Sequence, residues 1–254
     1  MVTEIGQGKR ENSRMEVSLR RVVFAVGAIA LVGLSGCAST KVVETEPHDP
    51  YESFNRDMFA VNKFLDDSFF SPMAQGYAHV TPDPAREAVY NFFQNLAYPT
   101  TVINQFLQGK IERGLEDLGR FVINSTFGLA GLVDFASDIE MTRNDEDFAQ
   151  TLAVWGLGSG PYLELPLLGP NTFRSLPGIP ADAATDLLTW VGSPTDYALG
   201  GLKRVDQRKR LDSAIKLRDT KSLDPYVFQR EAYLQRRSYL IHDGNPPLNG
   251  PNSN

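Results

Sequence analysis

Asp-Pro occurs three times with an apolar helical period directly behind it, at Asp49-Pro50, Asp83-Pro84 and Asp224-Pro225. A helix wants a carboxylate at its N-cap and tolerates Pro at its first position, where the missing N–H would have no partner anyway. After the first pair, Tyr51, Phe54, Met58, Val61, Leu65 and Phe69 fall within an arc of about 80°, one apolar stripe along a long amphipathic helix. After the second comes AREAVYNFFQNL, with Pro99 read as the start of a further helix that ends at Gly109. From Lys110 to Phe127, Ile111, Leu115, Leu118 and Val122 share one face while Glu112, Arg113, Glu116, Asp117 and Arg120 take the other. Gly114 and Gly119 interrupt that helix, which suits a close approach of another backbone. Residues 128–138 are left as a loop or short helix. Asn144-Asp145-Glu146 starts a helix that runs to Trp155, and helical patterns return over 180–191, 195–219 and 225–242. Strand signals are scarce outside 161–168. The expected fold is all-α, a set of amphipathic helices with one short Gly/Pro-rich apolar hairpin.

The start of the chain carries an address. Arg20-Arg21, thirteen mostly apolar residues from Val22 to Leu34, and then Ser35-Gly36-Cys37 have the layout of a secretory signal, too short to cross a membrane. Its features begin only at Met15. Leu34-Ser35-Gly36-Cys37 resembles a bacterial lipobox, which implies a signal peptide over 1–36 and diacylglycerol on Cys37. Ala38 follows, not the Asp associated with inner-membrane retention, so the outer membrane is the expected destination. Cys37 is the sole cysteine of the 254 residues, which excludes disulfides and cysteine-bound zinc. Without residues 1–36 the chain has 218 residues and a net charge of −8, a poor general match for nucleic acid. Residues 37–48 read as a flexible tether, 49–243 as the folded domain and 244–254 as a disordered tail. No later segment offers about eighteen uninterrupted apolar residues.

WGLGSGPYLELPLLGP, Trp155 to Pro170, has glycines spaced almost like a phosphate loop. It is not one. The third glycine of Gly156, Gly158 and Gly160 comes a residue early, no strand precedes it, and Pro161 removes a donor. A turn entering a hairpin explains the Gly and Pro, but Tyr162, Leu163, Leu165, Leu167 and Leu168 then either fill a core or meet lipid. Glu164 is expected to face outward. Catalytic patterns are thin: His48, His79 and His242 are scattered, Gly158-Ser159-Gly160 is not a nucleophile elbow, and no metal-ligand spacing is present. The basic run from Lys203 to Lys221 is interleaved with Asp206, Asp212 and Asp219, and so reads as an ion-paired helix.

DPYESFNRDMFAVNKFLDD, NFFQNLAYPTTVINQFLQGK, RFVINSTFGLAGLVD, GLGSGPYLELPLLGP and LDPYVFQREAYLQRRSYLI together resemble the MlaA/VacJ lipoproteins, in the same order from Asp49 to Asp243. Phe54-Asn55-Arg56 and Gly160-Pro161-Tyr162 carry most weight. The resemblance implies a ring of amphipathic helices in the inner leaflet of the outer membrane, around an amphipathic channel. It also implies removal of misplaced glycerophospholipids from the outer leaflet and their transfer to a periplasmic carrier. The implied partners are glycerophospholipids, a trimeric porin and that carrier, with neither cofactor nor catalysis. Helices lying flat in the interface would satisfy the amphipathic pattern equally well. The expected contacts with phospholipid are Phe54, Asn55, Arg56, Met58, Asn62, Gly156, Gly158, Gly160, Pro161, Tyr162, Leu165, Leu167 and Leu168. Asn55 and Asn62 sit where a wet–dry boundary would fall, or else bond neighbouring helices, and Arg56 is assigned an internal carboxylate before a phosphate. A porin scaffold and a membrane-surface lipase are the rival readings.

Overall fold

The computed structural model describes residues 49–246, so the signal, Cys37, the tether and most of the tail lie outside it. The described residues are mostly helical. α1 (Glu52–Leu65) runs through a π-helical turn (Asp66–Phe70) straight into α2 (Ser71–Val80), longer than the apolar stripe alone predicts. α3 (Asp83–Leu107) and α4 (Ile111–Thr126) pack on each other, and α5 (Phe135–Asp138) and α6 (Phe148–Val154) follow. A two-stranded antiparallel hairpin, β1 (Tyr162–Leu165) and β2 (Gly169–Thr172), leads by a 3₁₀ turn (Phe173–Ser175) to α7 (Gly178–Thr185). α8 (Thr195–Arg210), α9 (Asp212–Lys221) and α10 (Pro225–Ile241) complete the order. Contacts run from α1 to β1, β2 to α10, α10 to α6, α6 to α3, α3 to α8 and α8 to α2, closing a ring of elements.

Several expectations change. Pro99 does not start a helix but sits inside α3. Its missing N–H removes one backbone bond, while Phe93, Tyr98 and Val102 are buried on both sides of it and hold the helix together. Asp49 is not an N-cap: α1 starts without a side-chain cap, and Asp49 is fully buried, receiving hydrogen bonds from Asn55, Tyr226 and Arg230. Asp83 does not cap either, since it is the first residue of α3 behind Pro82 and no side chain caps that start, whereas Asp224 does cap, accepting from the N–H groups of Tyr226 and Val227. The 195–219 pattern breaks at Leu211 into α8 and α9. The 144–146 start moves to Asp147, whose carboxylate accepts from the Gln150 N–H. Gly114 meets the Phe106 ring rather than a backbone; a Cβ there would lie 2.7 Å from Phe106 Cε1. Around Gly119 only the Met141 methyl comes within 4 Å. In the turn after α4, Gly131 has φ +87°, and a Cβ would lie 2.3 Å from that of Asn95.

The faces of the helices are turned the unusual way. On α4, Ile111, Leu115, Leu118 and Val122 are 41–59% exposed, while Asp117 and Arg120 are buried at 0% and 2%. On α1, Phe54, Val61 and Phe64 point outward, as does Tyr51 just before it, and Asn55 is fully buried. The largest fully buried side chains are led by Arg120, Tyr162, Tyr226, Gln105, Gln150 and Glu164, so hydrogen bonds hold much of this interior. Asp117 takes bonds from Tyr98 Oη (2.6 Å), Gln105 and Asn144. The basic run is ion-paired as expected, Arg208 with Asp66 and Asp212, Arg210 with Glu87 and Asp206, and Lys203 with Asp186.

Candidate functional site

The hairpin is tied to α1 by two asparagines. Asn55 Nδ2 donates to the Tyr162 carbonyl (3.1 Å), and its Oδ1 accepts the Glu164 N–H (2.9 Å). Asn62 Nδ2 donates to the Leu165 carbonyl (2.9 Å), and its Oδ1 accepts the Leu167 N–H (2.8 Å). The two are seven residues apart on a helix, a rise of about 10.5 Å, which matches about three residues of strand. The bonding pattern shifts by those three residues, from 162/164 to 165/167. Their partners are thus the hairpin backbone and the carboxylates of Asp49 and Glu164, not neighbouring helices.

Glu164 corrects the sequence reading. It is fully buried, not outward-facing, and accepts from Tyr162 Oη (2.6 Å), Asn62 Nδ2 (2.8 Å) and Gln229 Nε2 (3.2 Å). Burial raises its pKa above the usual carboxylate range, against these three donors. The alternation of a strand places residues 162 and 164 on one face, so both go inward together. Tyr162 is 1% exposed and lies edge-on to Tyr226 and Tyr233.

The expected contact residues therefore separate. Asn55 and Tyr162 are enclosed and reach no surface in this conformation. Arg56 pairs with Glu52 and Asp224, each at 2.7 Å, and lies over the Tyr226 ring. Phe54, Leu167 and Leu168 are exposed at about half their area, while Met58, Asn62, Pro161 and Leu165 are intermediate. Nothing lies within 4 Å of the Cβ position at Gly156 or Gly158. Gly160 has φ +64° and closes on Phe173. At the hairpin tip Leu167 itself adopts φ 63°.

The larger clefts lie elsewhere. One of about 240 Å³ is lined by Tyr98, Thr101, Asn144, Glu146, Asp182 and Asp186 among others, and one of about 430 Å³ by Arg113, Glu116, Arg143, Glu146 and Asp243 among others. None of the expected contact residues lines either. Sequence reasoning missed these clefts because their walls come from α3, α4, α7, α10 and the 142–147 segment, which are far apart along the chain. Among the described residues no group of three or more His, Cys, Asp or Glu is placed to hold a metal ion.

Asp182 in the first cleft has its pKa pushed up to about 6 mainly by burial, helped by the Asp147 charge, with the Phe148 N–H and Asn104 opposing. Because its folded pKa exceeds the unfolded value, the folded state binds the proton more tightly, and stability falls as pH rises from about 4 to about 6. Asp182→Asn is expected to match wild type in Tm below pH 4 and to gain on it progressively up to pH 6. A difference independent of pH would contradict the assignment.

The MlaA lipoprotein family model matches residues 47–240. The intermembrane phospholipid transport system lipoprotein MlaA of Shigella flexneri is 35% identical over 93% of this chain and 95% of its own length. The protein of the same name from Haemophilus influenzae is 36% identical over 86% and 89%. A solved structure, reported as the structural basis for maintenance of bacterial outer membrane lipid asymmetry, superposes with a TM-score of 0.68 at 34% identity. That likeness covers 76% of this chain and 98% of that one.

Proposed function

Because the chain belongs to the MlaA lipoprotein family, we propose that it is an outer-membrane lipoprotein of intermembrane phospholipid transport, held in the periplasmic-facing leaflet by lipid on Cys37. In this role it takes misplaced glycerophospholipids from the outer leaflet and passes them to a periplasmic carrier beside a porin trimer, without catalysis. The observation that carries the reading is the inverted amphipathicity. Apolar rows on α1 and α4 face out while the polar Asn55 and the charged Asp117 and Arg120 are buried, an arrangement costly in water and suited to a lipid surface around a polar interior. Among the described residues no helix is long and apolar enough to cross a membrane, which favours a seat in one leaflet over a conventional span.

In this reading Phe54, Met58, Leu165, Leu167 and Leu168 touch lipid, while Asn55, Asn62 and Tyr162 act by positioning the hairpin. Gly156 and Gly158, with open space around them, form the hinge. Leu167→Glu tests the assignment at an exposed position where folding is spared. In a deletion strain it is expected to leave phospholipid in the outer leaflet, as measured by outer-leaflet acylation, while porin co-purification persists. Full rescue by this variant would favour the scaffold. Loss of function on replacing Ser159 or any single histidine would favour a lipase.

A further inference from the structure

Arg174 stands in the 3₁₀ turn after β2, with its backbone N–H on the Ser159 carbonyl (3.1 Å) and Nη1 on the Leu157 carbonyl (3.0 Å). Two loop carbonyls are thus its anchors, both within Gly156–Gly160. Its Nε is buried with no hydrogen-bond partner among the described residues, and Nη2 has none either. Other arginines of this interior are matched to carboxylates: Arg120 with Asp134, Arg208 with Asp66, Arg230 with Asp49 and Arg237 with Asp147. Arg174 has no carboxylate within 4 Å among the described residues; burial and neighbouring Arg237 work against its charge and outweigh the opposing influence of Tyr233 and the more distant Asp147. A half-buried guanidinium with its Nε–Nη2 edge unbonded is costly, unless that edge is kept for an anion that takes two parallel N–H groups. Carboxylate and phosphate both have that geometry. Leu157, Phe173 and Tyr51 are each about half exposed, and the last two rings stack at 6.1 Å, which suits an anion that carries apolar matter; the phospholipid-transport reading selects phosphate over carboxylate.

We propose that Arg174 binds the phosphodiester of a glycerophospholipid at the Gly156–Gly160 turn, with Leu157 and Phe173 receiving the glycerol and the upper acyl chain. The assignment rests on the phospholipid-transport reading and adds the residue that recognises the head. It also accounts for the glycine spacing: Gly158 leaves the approach open, and Gly160 lets the chain close on Phe173.

The test uses the full lipidated chain in non-ionic detergent, with dihexanoyl phosphatidylglycerol, dihexanoylglycerol and inorganic phosphate as probes in calorimetric titration. Wild type is expected to prefer the phospholipid to the diacylglycerol, and inorganic phosphate not to compete. Arg174→Gln is expected to lose about tenfold in phospholipid affinity, with diacylglycerol binding and the thermal transition unchanged. Arg174→Lys, which keeps the charge but not the planar fork, is expected to fall between. A phospholipid preference that survives in Arg174→Gln overturns the site and leaves the transport reading standing. A wild type without that preference overturns both, and competition by inorganic phosphate alone reassigns the pocket to a free anion.

Discussion

Arg120→Ala is expected to cost about 3–5 kcal/mol of folding stability, a large fraction of what a domain of this size has to lose. The guanidinium is 2% exposed, donates from Nη2 to both Asp134 oxygens at 2.6 Å and to Ser137 Oγ, and from Nη1 to the Met141 carbonyl. Removing it leaves a partly buried carboxylate and a carbonyl without their strongest donor, and opens a space where the 141–146 segment joins α4. Burial disfavours the Asp134 charge, yet Ser137, Asn124 and Arg120 together hold its pKa below the usual value. A depressed folded pKa gives stability that is present above the unfolded value and lost as pH falls through the folded one. The variant should therefore lose stability at neutral pH and show a flatter acid limb. Urea unfolding in detergent at pH 7 and pH 3 measures both, and a loss under 1 kcal/mol at pH 7 would show that the pair is dispensable.

The second large effect has the opposite character. Leu115→Glu with Leu118→Glu places two charges on the outer face of α4, where the side chains are 59% and 41% exposed. Folding stability should hardly change, because neither residue is enclosed. Binding to a bilayer should collapse, since each charge costs up to about 3 kcal/mol in the apolar region and every 1.4 kcal/mol is tenfold. In a Cys37→Ala background, where no lipid retains the chain, the double variant is expected to bind phospholipid vesicles at least tenfold more weakly in a flotation assay. Equal flotation of parent and variant would remove α4 from the membrane face.

The element types were largely legible, since periodicity and the Asp224-Pro225 cap depend on neighbours along the chain. The direction of the faces was not. Ile111, Leu115, Leu118 and Val122 look like a core stripe by pattern alone, and only the burial of Asp117 and Arg120 opposite reveals the inversion. Pro99 was misread because long-range packing of α3 overrides a local breaker. Glu164 was misread because its donors, Asn62 and Gln229, lie 102 and 65 residues away. Arg174 carries no sequence signal at all: it is distinguished by lacking a carboxylate, and ion pairing between distant residues cannot be read from spacing.

Asp49, sealed beneath Tyr226 and Arg230, fixes the point from which the N-terminal segment departs. Eleven residues separate it from Cys37, so the twelve backbone steps between them span at most about 43 Å. In the proposed anchored form that length is the largest distance between the acylated residue and Asp49, whose partners lie on α1 and α10. Residue count alone thus limits how far a lipid on Cys37 can lie from the point where α1 and α10 meet at Asp49.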